Sequence, residues 1–370
     1  MRILEKYLRK IYKFYKKTDA EITSVSFLIF TKGDIMSKVK LAIDLDSANT
    51  NIYMIGSGLV LSEPTVAIVD VENKNEVKYV GNDARKLIGK TAKNSKVIFP
   101  VFEGEIVNQP VAESMLDTYL NKIGAKNGLF GCQAVFSVPC GATYEMLEKY
   151  LKLAKSCNLS KVNFVEAPIL SALGQRIPLN DSTPCFLIDM AGGTTNIAAV
   201  TLDGIIAGIS VNFGYNKITT DIMDYVADNF GLQIGLLTAE KLRNEIGSLA
   251  ENDALSIVIN GRDLKNGAPR SISISAKDIR EPIVNYYEKI YELAVNVLKK
   301  LPPEVCAEIR HAGIYVSGIA SSIYGLDKYF TDKFAMQINV AENGAFAVAL
   351  GGGIAIGDNS ILRKISIKNK

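Results

Sequence analysis

Residues 186–200, FLIDMAGGTTNIAAV, contain two apolar segments on either side of a turn rich in glycine and threonine. Such apolar segments, with β-branched residues among them, are typical of buried strands. A two-residue turn would close this hairpin, so the additional residues Gly192, Gly193 and Thr194 indicate backbone N–H groups that open towards an anion. Asp189, at the end of the first strand, is placed to hold a metal ion through water. From this stretch alone, a plain hairpin with a flexible tip is the alternative.

A second stretch repeats the same design. Residues 39–49, VKLAIDLDSAN, again predict a strand that ends in an aspartate, Asp44, and continues into small or hydroxyl-bearing residues and a second apolar run. The two aspartates lie about 145 positions apart. The repeat predicts a duplicated domain in which two phosphate-facing hairpins lie on opposite sides of a cleft.

The length and composition favour a globular protein of two domains. The chain has 370 residues, of which 48% are hydrophobic and 22% charged, and this length is long for one core. No run of 18 uncharged apolar residues is present, so no membrane-spanning helix is predicted. The single histidine, His311, argues against a Ser-His-Asp mechanism. The cysteines lack metal-ligand spacing and are interpreted as reduced thiols of a cytosolic protein; they are Cys132, Cys140, Cys157, Cys185 and Cys306.

Positive charge is concentrated at the amino terminus. Residues 1–35 hold eight Lys or Arg against four acidic residues, so the net charge of +3 leaves −1 for the rest of the chain, which is not a nucleic-acid surface. Residues 3–15 have a basic amphipathic pattern that suits a helix lying on an anionic membrane. The alternatives are a helix docked on the body and an upstream extension that is absent from a natural product starting at Met36. Ser24–Phe30 is predicted as an edge strand or as part of the same contact.

Local patterns predict further elements in both halves. Thr143 and Thr238 are predicted to cap helices, the second of which ends at Gly247. On that second helix a polar face is expected from residues spaced by three and four, namely Glu240, Arg243 and Asn244. Residues 253–275 alternate as an antiparallel hairpin that turns at Asn260-Gly261.

Taken together, these motifs resemble the MreB family of bacterial actin-like proteins. The motifs are DLDSANT (44–50), FSVPCGAT (136–143), VEAPILSALG (165–174), DMAGGTT (189–195), TAEKLRNEIGS (238–248) and the triple glycine at 351–353. The likeness covers about residues 38–358. It extends more distantly to the superfamily of actin, the heat-shock chaperone ATPases and the sugar kinases.

The resemblance implies an actin-like ATPase fold of the α/β class, with two duplicated RNase H-like α/β domains around a nucleotide cleft. The domains would be 38–180 with a return at 345–370, and 181–344, preceded by the extension 1–37. It also implies a subunit that binds ATP or ADP with Mg²⁺. Such a subunit would polymerise into double protofilaments at the inner face of the cell membrane, alone or with paralogous subunits, and maintain cell shape.

The resemblance also assigns roles to individual residues. Asp44 and Asp189 would hold the magnesium ion through waters. The nucleotide would be contacted by Ser47, Ala48, Asn49, Gly192, Gly193, Thr194, Gly214, Glu240, Arg243, Asn244 and Gly318. Thr194 and Glu166 are the candidates for catalysis.

The sequence departs from the family pattern around this cleft. The family has two glutamates before the proline, and the second orients the attacking water; here Glu166-Ala167-Pro168 places Ala167 in that position. In the first phosphate turn Asp46 replaces glycine, which places a side chain where a phosphate oxygen would approach. Further replacements are Ala191, Gly318-Ile319-Ala320 and Gly214-Tyr215-Asn216. Losing a water-positioning group costs about a hundredfold or more in rate, so we expect slow hydrolysis and weakened nucleotide binding.

Several functional hypotheses remain open at this point. The chain resembles divergent MreB paralogues of wall-less helical bacteria, for which a role in helical shape and swimming is implied. A catalytically inactive adaptor of a paralogue's filament is the main alternative. A small-molecule kinase would need a carboxylate base at a sugar pocket, and a chaperone ATPase would need a peptide-binding domain after residue 358; neither is found in the sequence.

Overall fold

The structure of the protein is a computed structural model that describes residues 38–73, 76–127 and 131–368. The predicted basic helix and the segment 24–30 lie outside these residues. The strands of the described part, numbered in chain order, are β1 Val39–Leu45, β2 Asn49–Met54, β3 Gly58–Pro64, β4 Ala67–Asp70, β5 Glu76–Val80, β6 Ser95–Ile98, β7 Val101–Phe102, β8 Glu105–Ile106, β9 Cys132–Val138, β10 Leu159–Glu166, β11 Cys185–Met190, β12 Thr195–Thr201, β13 Gly204–Val211, β14 Leu232–Gln233, β15 Ser256–Asp263, β16 Pro269–Ser275, β17 Ile314–Ser317 and β18 Ile338–Val340.

Helices connect these strands and cover the sheets. They are α1 Gly81–Arg85, α2 Gln109–Lys122, α3 Tyr144–Ser156, α4 Ala167–Gly174, α5 Tyr215–Phe230, α6 Leu236–Ile246, α7 Arg280–Leu298, α8 Pro303–Ala312, α9 Leu326–Phe334, α10 Ala347–Gly357 and α11 Asn359–Ile365. Within the described ranges no single helix combines the length and apolar character that a membrane span requires. One pair bent by 117°, Gly344–Gly357 and Asn359–Ile365, meets those two criteria together.

Two five-stranded sheets have the same order and the same strand directions. In the first sheet the order is β10-β9-β1-β2-β3, and in the second it is β18-β17-β11-β12-β13. In each, the central strand pairs antiparallel with the strand that follows it and parallel with a later one. The predicted duplication in an α/β fold is therefore confirmed. The domain boundaries given above stay a prediction.

The central hairpin of the second sheet is buried on both faces. Every residue of β11 and β12 is buried, which is why this stretch has few alternating polar positions. A core of helices α5, α6 and α7 packs on one side, with residues such as Ile218, Leu242 and Tyr286. The turn between β11 and β12 is thus held on a rigid support.

Helices α4 and α10 cross at two glycines. A Cβ atom at Gly174 would collide with the carbonyl oxygen of Ala347, and one at Gly351 with the carbonyl oxygen of Leu170. Only glycine lets two helix backbones approach so closely. Gly351, the first residue of the triple glycine near the carboxyl terminus, therefore lies in α10 and lets that helix pack against α4.

The hairpin at residues 253–275 is present, but its predicted turn at Asn260-Gly261 is wrong. Gly261 lies inside β15 and pairs with Arg270 of β16. A Cβ at Gly261 would come within 2.6 Å of the Gln233 carbonyl oxygen of β14, so the glycine serves strand packing. The turn is at 264–268, where the Asp263 carboxylate accepts from Lys265 N at 2.8 Å and Gly267 has a φ of +73°.

The two predicted threonine caps have different outcomes. Thr143 caps α3 as predicted, because its hydroxyl accepts from Met146 N at 3.3 Å. Thr238 does not cap α6, which begins at Leu236 after an extended Gly235. Glycine is tolerated at the N-cap position, so the helix starts three residues earlier than the threonine suggests.

Candidate functional site

Asp44 and Asp189 line one cavity between the two five-stranded sheets. Asp44 lies near the end of β1 and Asp189 near the end of β11, and both face this inter-sheet cavity of about 60 Å³. Strand-end residues of separate sheets thus meet at one site. Other residues of the predicted site that line it are Asn49, Thr194 and Gly318.

Hydroxyl groups from neighbouring strands orient both aspartates. Ser137 Oγ donates to Asp44 Oδ1 at 2.7 Å, and Ser317 Oγ donates to Asp189 Oδ1 at 2.8 Å. Asn51 Nδ2 also donates to Asp44 Oδ2 at 3.3 Å. Asp189 is 1% exposed, and its Oδ2 has no hydrogen-bond partner among the described residues. A buried carboxylate oxygen without a partner is costly. A cation or a water bound at Oδ2 would remove that cost.

Burial and mutual repulsion make these carboxylates hard to ionise. Burial, together with the negative charges of Asp46 and Asp189, raises the pKa of Asp44 to about 7, although the hydrogen bonds from Ser137 and Asn51 act in the opposite direction. Burial and the charge of Asp46 raise the pKa of Asp189 to about 6. A cation would relieve both effects. All-oxygen ligands, one of them with a free lone pair, fit Mg²⁺, which keeps several of its own waters when protein-bound.

The turns at 46–48 and 191–194 are held together by the Asp46 side chain. The Asp46 carboxylate accepts from Gly192 N at 2.7 Å and from Gly193 N at 3.2 Å. It also accepts from Ala48 N of its own turn at 3.2 Å. The backbone N–H groups that the sequence assigned to an anion are therefore hydrogen-bonded to a carboxyl group of the chain itself. Burial raises the pKa of Asp46, and these N–H groups act against that rise.

The glycines of the second turn are also required by packing. A Cβ at Gly192 would collide with Ala48 and with the Asp46 carboxylate, and one at Gly193 would collide with Ser47. Gly214, which precedes α5, lies against the Gly192-Gly193 peptide with no room for a Cβ. Glycine at these positions therefore permits close contact between the two turns.

The α6 residues predicted to contact the nucleotide do not line the inter-sheet cavity. Arg243 and Asn244 line a separate outer cavity of about 760 Å³, together with Tyr215. The Arg243 guanidinium carbon lies 3.6 Å from the centre of the Tyr215 ring. Glu240 lines neither cavity and forms an ion pair with Arg85 of α1. The predicted polar face of α6 is thus divided between two environments, the outer cavity for Arg243 and Asn244 and the ion pair with Arg85 for Glu240.

Of the two candidates for catalysis, only Thr194 lines the inter-sheet cavity. The Glu166 carboxylate accepts from Gly141 N at 2.7 Å, and Glu166 is absent from the cavity lining. Its neighbour Ala167 does line the cavity. The position next to Pro168 therefore faces the site with a methyl group, which accepts no hydrogen bond.

The sequence analysis missed the hydroxyl and amide groups that hold the aspartates. They are Asn51, Ser137 and Ser317. A usable signal was present for Ser137 and Ser317, because each is a polar residue at or next to the end of a largely apolar strand. Ser317, for example, is directly paired with Asp189 across β11 and β17.

Comparisons with known proteins find relatives among bacterial cell shape-determining proteins. The sequence model of the MreB/Mbl protein family matches residues 38–364. Cell shape-determining protein MreB of Escherichia coli (strain K12) is 31% identical over 321 residues, which are 85% of this chain and 92% of the relative. Cell shape-determining protein Mbl of Bacillus subtilis (strain 168) is 30% identical, with 88% of this chain and 97% of the relative covered.

Solved structures agree with the sequence comparisons. MreB5 of Spiroplasma citri bound to AMPPNP is 28% identical with a TM-score of 0.81, and the match covers 89% of this chain and 98% of that one. The same protein bound to ADP gives a TM-score of 0.83. The MamK double helical filament, at 17% identity, has a TM-score of 0.74 over 87% of this chain and 99% of its own, and shows the shared fold alone.

Proposed function

The chain belongs to the MreB/Mbl family of cell shape-determining cytoskeletal proteins, and from this premise we propose that it is a filament subunit that binds ATP with Mg²⁺ between its two sheets. We further propose that it assembles into double protofilaments and hydrolyses ATP slowly. The observation that carries the proposal is the meeting of Asp44 and Asp189 in one cavity, with the Asp189 Oδ2 atom free.

The residues of the cavity suggest how the nucleotide would be held. Asp44 and Asp189, oriented by Ser137 and Ser317, would hold the magnesium ion through waters. The ion would neutralise phosphate charge, and the backbone N–H groups of the two turns would donate hydrogen bonds to the phosphates. The Ala167 side chain cannot orient the attacking water. Catalysis would therefore depend on positioning and electrostatics alone, without a general base, and ATP hydrolysis would be slow.

We expect Asp189→Asn to weaken the Mg²⁺-dependent part of ATP binding about tenfold. The amide keeps the size of the side chain and can still accept from Ser317, but it lacks the charge that attracts the ion. Titrating ATP at several Mg²⁺ concentrations measures the effect. Asp332→Asn, which removes a charge from an exposed position of α9, should leave binding unchanged. Equal ATP binding by Asp189→Asn and the unchanged chain at every Mg²⁺ concentration would contradict the assignment.

Sedimentation with ATP, with ADP and without nucleotide, combined with phosphate release, tests assembly. Pelleting with slow release supports the proposed filament, whereas release as fast as that of an ordinary family member refutes the slow hydrolysis. The adaptor hypothesis rests on two of the departures from the family pattern, Asp46 and Ala167. It predicts that the chain pellets only when a filament-forming paralogue is added.

We also propose that residues 1–35 attach the subunit to the inner face of the cell membrane. The support is the sequence pattern of apolar and basic residues, which suits an anionic lipid surface. We expect the full chain to float with liposomes that contain anionic lipid, and a shortened chain that begins at Met36 to float less. Equal flotation of the two chains would remove these residues from the membrane contact.

A further inference from the structure

We propose that Asp46 is a resident anion in the phosphate-binding turns, which a nucleotide phosphate must displace, so that the cleft prefers ADP to ATP. The inference rests on the proposed function, since it concerns the regulation of the same nucleotide site. It assigns to Asp46 a role as competitor and specificity determinant.

The first argument is the geometry of the carboxylate. Asp46 Oδ2 accepts from Gly192 N at 2.7 Å and from Ala48 N at 3.2 Å, and Oδ1 accepts from Gly193 N at 3.2 Å. Three backbone N–H groups from both turns thus converge on one anionic group. Converging N–H groups are the means by which proteins bind phosphate. A carboxylate held in this way makes charge-assisted hydrogen bonds, which are stronger than neutral ones.

The second argument is the space between the turns. The contact of Gly192 with Ala48 and of Gly193 with Ser47 brings the two turns together. The inter-sheet cavity has a volume of about 60 Å³, which is room for a few waters. Small-molecule sites are usually about 300–1,000 Å³. The phosphates of a nucleotide can therefore reach these three N–H groups only if the Asp46 side chain leaves them.

The third argument is charge. Asp44, Asp46 and Asp189 all line the inter-sheet cavity, so the cavity already contains three carboxyl groups. Each phosphate added to a nucleotide brings further negative charge towards Asp46, and like charges in a buried site repel strongly. A triphosphate is consequently penalised more than a diphosphate, even with Mg²⁺ present.

The test is the binding of MgATP and MgADP to the full chain and to three variants. We expect Asp46→Gly to bind ATP about tenfold more tightly than the unchanged chain and ADP at most about threefold more tightly. Asp46→Asn keeps the size of the side chain without its charge, and it should shift the ratio of ATP to ADP affinity in the same direction. Asp332→Asn is the control for loss of a distant charge and should bind as the unchanged chain does. Thermal unfolding of each variant verifies that it is folded.

The outcomes separate this inference from the proposed function. If the unchanged chain binds ATP and Asp46→Gly binds it no more tightly, Asp46 is no competitor, while the nucleotide site stands. If Asp46→Gly gains affinity but Asp46→Asn does not, bulk rather than charge is responsible, and the resident anion is refuted. If neither the unchanged chain nor Asp46→Gly binds nucleotide, the proposed function fails and the inference fails with it.

Discussion

An Ala167→Glu variant is expected to release phosphate from ATP about a hundredfold faster than the unchanged chain. Ala167 is the first residue of α4, it precedes Pro168, and it lines the inter-sheet cavity with Thr194. The family resemblance implies a glutamate at this position that orients the attacking water. A carboxylate there would supply the hydrogen-bond acceptor that the methyl group lacks. Phosphate release under saturating ATP measures the change.

Ala167→Gln is the matched control for this prediction. The glutamine side chain has nearly the size of glutamate and can accept a hydrogen bond from water, but it cannot take a proton. We expect it to raise the rate much less than glutamate does. If Ala167→Glu binds ATP and releases phosphate no faster than the unchanged chain, the loss of the carboxylate is not what limits hydrolysis.

Replacement of Gly351 by alanine is expected to lower the free energy of unfolding by about 3 kcal/mol. The new Cβ would collide with the Leu170 carbonyl oxygen of α4, and a backbone atom cannot move aside as a flexible side chain can. Helices α4 and α10 would have to separate along their whole contact. Denaturant unfolding followed by circular dichroism measures the loss.

Gly357→Ala provides the control on the same helix. A Cβ at this position would make an ordinary contact with Ile55 at 3.5 Å, and alanine favours helix more than glycine by about 1 kcal/mol. We therefore expect this variant to be as stable as the unchanged chain or slightly more so. Equal stability of Gly351→Ala and Gly357→Ala would show that the helix contact is looser than the structure indicates.

The parts of the fold that were predictable are those encoded within one local stretch. The strand-turn-strand pattern around Asp44 and Asp189 depends on neighbouring residues, and the structure shows both hairpins. Thr143 was identified for the same reason, because a cap acts within three residues. The Asn260-Gly261 turn was wrong because the close approach of β14, which the local sequence does not encode, requires glycine inside a strand.

The parts of the site that were not predictable depend on how distant segments meet. Asp46 was recognised as a replacement for glycine, but its partners Gly192 and Gly193 lie 146 and 147 positions away. The spacing of the polar residues on α6 was predicted correctly, but these residues contact different neighbours. Glu240 forms an ion pair with Arg85, and the Arg243 guanidinium lies over the Tyr215 ring. Periodicity identifies a face of a helix, and only the packing shows what each residue contacts.

The three amides held by Asp46 also bear on how new subunits mature. Amides left without an acceptor in buried turns would cost about 1–3 kcal/mol each, and in many ligand-binding proteins the ligand itself removes that cost. This chain carries the acceptor in its own sequence, so a freshly synthesised molecule can complete both turns without waiting for a metabolite. Folding of these two turns is therefore not expected to depend on a bound nucleotide.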